Sequence, residues 1–389
     1  MNWLVKIALL TLILLVGTLA ALFAGETRGL ALNDFSDATV DVVVPTTSNG
    51  SLLAAFSGNQ RGIFRSDDGG LSWERISAGP DARISALAVN PAYPNIVFAG
   101  TAGQSSNLWY SDDGGRTWDS TLFGLPADEL GQSPEVRAIS SAPSQPNLMY
   151  LGTWGQGLYR FDVREGKMER LGGNTLAKLY VNQIVTRPDG PMYAVTTEGL
   201  LHITGRQIEK IKTPDGVVSM AIHPVKPQTI YVGTVGYGLH RSTDGGQSWQ
   251  ALNNGLGLQP GVILRVPAIV IDSQNPQHLA VSTAFGVGSR LVGDGIFESI
   301  DAGQSWQRIA KLDEIVDRIT IEDGGVYAAT SHGLVRYGQS LPAADPGLWQ
   351  RAQSLTSPTT VQLVILALTL GVGGWVLFAR LSWSPVRIK

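Results

Sequence analysis

The chain has 389 residues, five histidines and no cysteine, and its formal net charge at pH 7 is −3. The absence of cysteine excludes disulfides, a thiol nucleophile and thiolate metal ligands. The slightly acidic balance, without any run of Lys and Arg among aromatic residues, argues against nucleic acid as a partner. A chain of this length holds two average domains or one large all-β domain.

The first predicted element is an uncharged apolar segment, Ile7–Ala24. It is long enough for a helix to cross the roughly 30 Å hydrocarbon core of a bilayer. Its small residues Ala20, Ala21 and Ala24 keep a cleaved signal peptide open as the alternative, although the apolar run exceeds the ~7–15 residues usual there. We favour a retained membrane anchor over residues 1–25.

Short predicted strands follow at the spacing of a β-propeller. The first four are predicted at 40–44, 51–57, 62–65 and 73–76. Four strands in about forty residues match the period of one propeller blade. The dipeptide Gly-Thr recurs in these units, at 100–101, 152–153 and 233–234, after turns that contain two prolines. Proline cannot donate to a strand ladder, so these turns are predicted to lie outside the sheets.

A repeated octapeptide ends four of the units, with the pattern Ser-x-Asp-x-Gly-x-Ser/Thr-Trp. The residues that fit it are Ser66, Asp68, Gly70 and Trp73; Ser111, Asp113, Gly115 and Trp118; Ser242, Asp244, Gly246 and Trp249; and Ser299, Asp301, Gly303 and Trp306. In a hairpin turn the Asp can accept hydrogen bonds from backbone N–H groups, and the Gly can adopt positive φ. The Trp then opens the next strand, and Trp118 and Trp249 are predicted to be buried wedges between repeats.

The octapeptide resembles the Asp-box (BNR) repeat of sialidase-like, sortilin-like and photosystem-assembly-factor β-propellers. The resemblance implies an all-β propeller with four-stranded blades, and it marks a fold more than a reaction. The spacing of the repeated units along the chain predicts that this propeller is seven-bladed. The interval between Ser111 and Ser242 has room for two blades without the octapeptide, predicted at 136–171 and 179–211. A seventh blade follows the fourth octapeptide and is predicted to end with a strand at Trp349–Ala352.

All seven blades are predicted to form one ring over residues 36–353, because a blade buries its faces only against its neighbours. A polar tether at 354–360 leads to a second apolar segment, Val361–Ala379, and to a basic tail at 380–389. Positive residues precede the first apolar segment and follow the second. The positive-inside rule therefore predicts both termini in the cytoplasm and the ring outside the cell membrane.

Catalytic and metal-binding chemistry finds little support. The octapeptide aspartates recur on separate blades, too far apart to share a substrate, and one octapeptide lacks the oxygen ligands of a calcium site. The acids predicted on inner strands are Glu135, Asp272 and Asp317, and the sequence does not show that any two converge as a glycosidase requires. The five histidines lack metal-ligand spacing. We therefore predict no catalytic residue, no metal and no cofactor.

The turns between the second and third strands of the blades are predicted opposite the octapeptides, beside the mouth of the central channel. Aromatic and amide side chains at a concave mouth suit recognition of a protein segment or a sugar. Exposed turns also carry such residues by chance, and that alternative stays open. The predicted binding residues are Gln60, Arg61, Trp154, Gln156, Tyr237, Phe285, Arg290 and His332.

These patterns favour a membrane-anchored extracytoplasmic scaffold that binds another membrane or extracytoplasmic protein. The resemblance to photosystem assembly factors implies a client that is itself a membrane complex. The chain has no Cys for a lipidated start and no Cys-rich module of the sortilin-like kind. The alternative is a cell-surface glycoside hydrolase or glycan-binding protein of the sialidase-like type. That family has Arg-Ile-Pro near the first blade, where this chain reads Val43-Val44-Pro45.

Overall fold

The computed structural model describes residues 30–31, 39–46, 51–70, 72–76, 79–102, 107–120, 125, 127, 131, 133–142, 144–187, 190–258, 261–287 and 290–337. The strands in chain order are β1 (Leu30–Ala31), β2 (Thr39–Pro45), β3 (Leu52–Ser57), β4 (Gly62–Ser66), β5 (Glu74–Arg75), β6 (Arg83–Val89), β7 (Val97–Ala102), β8 (Leu108–Ser111), β9 (Val136–Ala142), β10 (Gln145–Thr153), β11 (Leu158–Asp162), β12 (Lys167–Arg170), β13 (Val181–Thr186), β14 (Met192–Thr196), β15 (Gly199–Thr204), β16 (Gln207–Ile211), β17 (Val217–Ile222), β18 (Ile230–Thr234), β19 (Leu239–Ser242), β20 (Gln250–Ala251), β21 (Leu264–Ile271), β22 (Leu279–Val287), β23 (Arg290–Ser299), β24 (Gln307–Ala310), β25 (Ile319–Glu322), β26 (Gly325–Thr330) and β27 (Gly333–Tyr337). Short 3₁₀ turns cover Gly58–Gln60 and Gly173–Thr175.

These strands form seven antiparallel sheets within the described ranges, and each sheet is one blade. Blades one to six run outward in chain order from β2, β6, β9, β13, β17 and β21, and blade seven runs outward from β25. Each inner strand contacts the inner strand of the next blade, and β25 contacts β2, so the seven sheets close into a ring. Six blades have four strands. Blade two has three, extended by a bridge between Tyr110 and Asp119. The prediction of a seven-bladed all-β propeller is confirmed, including the three blades without an octapeptide.

Blade seven obtains its fourth strand from the beginning of the chain. β1 pairs with β27 in antiparallel register, with Leu30 opposite Arg336 and Ala31 opposite Val335. The strand predicted for this place, Trp349–Ala352, lies outside the described residues. β1 itself precedes the predicted start of the ring at residue 36 and was not predicted. The first and last strands of the described ring therefore share one sheet.

The predicted membrane segments, the tether and the basic tail also lie outside the described residues. Among the residues that the structure does describe, no helix is long and apolar enough to cross a membrane.

Seven clusters of buried side chains form the core, one between each pair of neighbouring blades. The strand β3 shows why. Leu52 and Ala54 face blade seven, where they meet Tyr327, whereas Leu53 faces blade two, where it meets Ile84. Successive side chains of a strand point to opposite faces, so a continuous apolar run fills two interfaces at once.

The recurring Gly-Thr dipeptide marks a close approach between neighbouring blades. A Cβ atom on Gly233 would lie 2.3 Å from the carbonyl oxygen of Val266 on the inner strand of blade six. Gly100 and Gly152 meet the next blade at 2.5 Å in the same way. Only a residue without a side chain fits such an approach. The threonine stabilises the adjoining turn with a hydrogen bond: Thr234 Oγ1 donates to the carbonyl of Gly238 at 2.9 Å.

The octapeptides form a network of hydrogen bonds around the Asp side chain. In the second copy the Ser111 hydroxyl donates to Asp113 Oδ1 at 2.8 Å and accepts the N–H of Gly115 at 2.8 Å. The N–H of Thr117 donates to Oδ1 at 2.9 Å, and its hydroxyl donates to Oδ2 at 2.7 Å. The other three copies repeat these contacts. The aspartates therefore organise turns, as the pattern predicts.

The four tryptophans are not equally buried. Trp306 is 7% exposed, and its Nε1 donates to the carbonyl of Leu252 in the preceding blade at 2.9 Å. The prediction of buried wedges is wrong for Trp118 and Trp249, which are half-buried. The difference lies in the connection between blades five and six. There the carbonyl of Asn254 accepts the backbone N–H of Trp306 at 3.0 Å, and Leu252 and Leu256 of this connection belong to the same buried cluster as the indole.

Three octapeptides are also bound to the preceding blade through one backbone carbonyl. The Tyr327 hydroxyl of blade seven donates to the Gly69 carbonyl of blade one at 2.7 Å. Arg65 of blade one donates to the Gly114 carbonyl at 2.8 Å, and the Tyr231 hydroxyl donates to the Ala302 carbonyl at 3.2 Å. Two different side chains thus give the same inter-blade bond. The bond from Tyr327 joins blade seven to blade one and adds to the closure by β1.

The octapeptide carboxylates make a testable contribution to stability. Burial raises the pKa of Asp113, but the hydrogen bonds from Thr117, Ser111 and Arg116 outweigh burial and lower it to about 2, from an ordinary value of 3.8. We expect Asp113→Asn to lower the free energy of unfolding by about 1 kcal/mol at pH 7, a modest loss because solvent screens this site. A depressed carboxyl pKa stabilises the fold above pH ~4, and the stabilisation is lost as the pH falls toward 2.

Urea unfolding of the wild type and of Asp113→Asn, at pH 7 and at pH 2, measures the loss of unfolding free energy at each pH. Asp112→Asn removes the same charge from an exposed neighbour and is the control, with an expected change under about 0.5 kcal/mol at either pH. A loss in Asp113→Asn that is as large at pH 2 as at pH 7 would contradict the assignment.

Candidate functional site

The ring has two chemically different faces. We call the face that carries the octapeptide turns the octapeptide face. The opposite face carries the turns between the second and third strands, such as those at 58–61, 154–157, 235–238 and 331–332, and we call it the mouth face. The inner strands all begin at the mouth face, so residues at their starts surround one end of the channel.

A chamber of about 370 Å³ opens at this end of the channel. Its charged lining comes from the starts of five inner strands and consists of Asp41, Arg83, Glu135, Arg137, Arg265, Asp317 and Arg318. Four arginines thus face three carboxylates. Below it the channel narrows to a space of about 160 Å³ with many apolar walls, among them Val42, Leu87 and Ile184. The arrangement provides a polar entrance with a small positive excess over an apolar base.

Trp154 forms the wall of this chamber on blade three. The guanidinium of Arg137 lies 3.8 Å from the centre of its ring, a cation–π contact, and Glu135 accepts a bond from Arg137 Nε at 3.0 Å. Tyr180 meets the indole edge-on, with ring centroids 4.7 Å apart. Trp154 nevertheless remains 40% exposed. These contacts hold the indole in place and leave part of it open to a ligand.

Two of the arginines lack a charge partner. Arg83 pairs with Asp41 at 3.3 Å, but neither Arg265 nor Arg318 has a carboxylate within 4.0 Å among the residues described. Arg265 Nε and Asp41 Oδ2 are buried, and neither has a hydrogen-bond partner among the described residues. Removal from bulk water lowers the pKa of Arg318, and the charge of Arg137 lowers it further against the opposing effect of Asp317. Arginine stays protonated in proteins, so Arg318 keeps its positive charge at the chamber.

Exposed apolar side chains extend the site beyond the chamber. Of the eleven large apolar side chains exposed in the described ranges, eight lie on the mouth face. They are Trp154, Tyr180, Val235, Tyr237, Leu258, Ile263, Leu291 and Val292. All eight belong to blades three to six or to the connections between them. Apolar surface gathered on one side of a ring indicates an interaction site more than scattered exposure does.

Blade six rises above its neighbours at this face. In β18 the strand ends at Thr234, whereas β22 continues four residues beyond the equivalent Thr283, to Val287. The hairpin stays paired up to Val287 opposite Arg290, so it projects by about 13 Å. The hairpin gives the mouth a raised wall on one side.

The predicted binding residues all come to the mouth face, but only Trp154 lines the chamber. Gln60, Arg61 and Arg290 are exposed, and Gln156 is half-buried. Tyr237 is 61% exposed beside the inner strand of blade six, to which a bridge at Leu264 ties it. Phe285 packs against the core between blades five and six. His332 lies at the edge, with Nδ1 2.9 Å from the Ser331 hydroxyl.

Asp272 does not form a catalytic pair with either of the other two inner-strand acids. Asp272 lies on the octapeptide face, where it accepts the N–H groups of Gln274 and Asn275 and contacts His278. The strong hydrogen bond to Glu298 raises the pKa of His278. Glu135 and Asp317 lie at the mouth, about one strand length from Asp272. That is roughly 20 Å, beyond the ~5–10 Å of glycosidase carboxylates.

Metal binding also lacks a cluster of ligands. Within the described ranges, no group of three His, Asp or Glu side chains could hold a metal ion.

No family model matches the chain, and no curated protein matches it. Similar solved structures do exist. The extracellular domain of BT4673 from B. thetaiotaomicron aligns with a TM-score of 0.58 at 16% identity, over 80% of this chain and 39% of that one. YCF48 bound to D1 peptide aligns with a TM-score of 0.57 at 18% identity, over 79% of this chain and 94% of that one. An ancestral GH74 enzyme aligns with a TM-score of 0.57 at 16% identity, over 82% and 47%.

At these identities the likeness shows the fold alone. The chain spans about two fifths of the BT4673 chain and less than half of the GH74 chain. The three proteins named also differ in kind: one is the extracellular domain of a putative one component system, one binds a peptide and one is an enzyme. The propeller fold is common to them, and the side chains at the channel mouth of this chain are what bear on its function.

Proposed function

We propose that the chain is an extracytoplasmic propeller, anchored in a membrane, whose channel mouth binds a segment of another protein. The observation that carries the proposal is the composition of the mouth. A charged chamber of about 370 Å³ adjoins an exposed aromatic pair, Trp154 and Tyr180, and further exposed apolar side chains. Concave sites in which exposed apolar and aromatic side chains adjoin fixed polar groups are typical of ligand binding.

The charges of the chamber favour a segment with an acidic group. Arg265 and Arg318 have no carboxylate partner in the described part of the chain, so a carboxylate from outside would fill a vacant position. Arginine is well suited to this, because its planar guanidinium can bind a carboxylate with two parallel bonds. Tyr237 and the blade-six hairpin would then contact the apolar residues beside that group. The YCF48 structure with a bound D1 peptide supports a peptide ligand on a propeller of this size.

The finer parts of the proposal rest on the sequence. The octapeptides resemble the Asp-box repeat, and the segments Ile7–Ala24 and Val361–Ala379 are long enough to anchor both ends in a membrane. Their flanking positive residues support cytoplasmic termini and an external ring. The proposed partner is accordingly a membrane or extracytoplasmic protein, and no nucleic acid is proposed.

Affinity capture tests the proposal. The tagged full-length protein is captured from detergent-solubilised membranes, and the Kd of each co-purifying protein is measured. We expect the double variant Trp154→Ala/Tyr237→Ala to weaken specific binding by about 30-fold, as removal of aromatic hot spots does. Tyr93→Ala is the matched control, because Tyr93 is an aromatic residue 46% exposed on the octapeptide face. Equal losses in both variants, or none in the double variant, would contradict a binding site at the mouth.

A glycan ligand is the second candidate, supported by the same exposed indole and by Glu135 and Asn182 beside it. A panel of chromogenic glycosides tests this candidate directly. If the protein hydrolyses a glycoside and Glu135→Gln or Asp317→Asn abolishes that hydrolysis, the protein is a glycoside hydrolase and the binding proposal is wrong.

A further inference from the structure

The course of the chain through blade seven has a consequence for how the ring is presented. β27 follows the mouth-face turn at 331–332 and ends at Tyr337, so it leaves the ring at the octapeptide face. β1 is antiparallel to β27, with Leu30 opposite Arg336. It therefore enters at the octapeptide face as well. Both ends of the described ring lie on neighbouring strands of one blade and on one face.

We infer that the ring is held with its octapeptide face toward the membrane and its channel mouth turned away. The inference rests on the membrane anchoring proposed above. The apolar segment Ile7–Ala24 ends six residues before Leu30, and an extended chain of that length reaches about 20 Å at most. With the octapeptide face toward the bilayer, the chain continues into β1 in the direction in which it left the membrane.

The opposite orientation requires the same short connection to follow a longer path. With the mouth toward the bilayer, the chain would first rise along the outside of blade seven to the level of Leu30. From Arg336 to Gly333 alone this is about 10 Å, and the turn at 331–332 adds to it. The chain would then have to reverse at Leu30 and run back down as β1. Most of the available reach would be used, together with a sharp reversal.

This orientation specifies the kind of partner that can reach the mouth. Inner strands of seven residues are about 23 Å long, so the mouth stands at least that far from the membrane surface. A lipid-embedded surface cannot reach it. The ligand is therefore a segment that comes from the aqueous side, either from a soluble protein or from a loop that projects at least ~23 Å beyond the bilayer.

The absence of cysteine allows a direct measurement, because every introduced thiol is the only one. Four full-length variants each carry one dye. Val225→Cys and Ile300→Cys label the octapeptide face, where these side chains are 74% and 78% exposed. Tyr237→Cys and Arg290→Cys label the mouth face, where both side chains are exposed. Their exposure makes the substitutions compatible with folding. Two positions on each face ensure that the result for a face does not depend on one labelled site.

The proteins are reconstituted into vesicles of phosphatidylcholine and phosphatidylglycerol that contain an acceptor-labelled lipid. We expect energy transfer from the two octapeptide-face dyes to be at least twice as efficient as from the two mouth-face dyes. Equal or reversed efficiencies would overturn the inference. Failure of the protein to float with the vesicles would overturn it too. The binding proposal is tested separately in detergent, so the two failures are distinguishable.

Discussion

Replacement of Trp306 by alanine is expected to lower the free energy of unfolding by about 3–5 kcal/mol. Trp306 is the most buried of the four octapeptide tryptophans, at 7% exposure, and it fills the space between blades five and six. Its Nε1 donates to the Leu252 carbonyl at 2.9 Å, so the substitution also leaves a backbone acceptor unpaired. The loss combines a cavity in the core with a broken contact between two blades.

Denaturant unfolding followed by circular dichroism measures this loss. Trp249→Ala is the matched control. It occupies the same octapeptide position and bonds to the Lys212 carbonyl at 2.9 Å, but it is only half-buried. We expect it to cost roughly half as much, because burial scales the loss. Equal destabilisation of the two variants would contradict the conclusion that the connection at Asn254 makes Trp306 more stabilising than Trp249.

Replacement of Gly233 by alanine is expected to cost about 3 kcal/mol, at the upper end of the range for overpacking. The new Cβ would lie 2.3 Å from the Val266 carbonyl oxygen and 2.3 Å from Ser219 Oγ. The first of these atoms is backbone on the inner strand of the next blade. It cannot rotate away, so the substitution pushes two closely packed blades apart.

Thermal unfolding at neutral pH shows the effect as a lower melting temperature. Gly79→Ala is the control, since its nearest neighbour to a new Cβ is 3.8 Å away, an ordinary contact. We expect a change within about 0.5 kcal/mol for the control. A Gly233→Ala variant as stable as the control would show that the blades tolerate wider spacing, and the explanation of the Gly-Thr dipeptide would be wrong.

The number of blades could be predicted because each blade repeats local signals. The octapeptide turn needs only residues within eight positions of one another, and its acceptors and glycine are all visible in the sequence. Units without it still show alternating strands at the same spacing. The closing strand β1 carries no such signal. It is two residues long, too short for any periodicity, and it is defined by pairing with a strand at the far end of the ring.

The mouth could be predicted only in part. Glu135, Arg137, Asp317 and Arg318 can be placed on inner strands from the sequence, but their convergence depends on the radius of the ring. Arg265 gives no signal at all, since one arginine at the start of a strand is ordinary. The exposure of Trp154 and Tyr237 follows from their Gly-flanked turns, and the structure agrees with it.

One turn shows how different residues meet one requirement. Asn90, His223 and Asp272 end the inner strands of their blades, and the sequence suggests that this position tolerates anything. In the structure each side chain accepts two backbone N–H groups of the following turn. Burial lowers the pKa of His223, which keeps Nδ1 unprotonated as an acceptor. Sequence patterns compare residue types, whereas the turns of these three blades each use an acceptor atom that comes from a different residue type.

The pairing of β1 with β27 also sets a timetable for synthesis. Arg336 leaves the ribosome about 300 residues after its partner Leu30, which at typical rates of translation is roughly 15–60 s. During that interval the face of blade one that will pack against blade seven, which includes Leu52 and Ala54, is not yet covered by blade seven. Blades two to six can assemble on blade one as they emerge, but the circle stays open until the last one is made. The nascent protein therefore keeps one apolar blade face uncovered until the last blade is made, even when almost all of its structure is already in place.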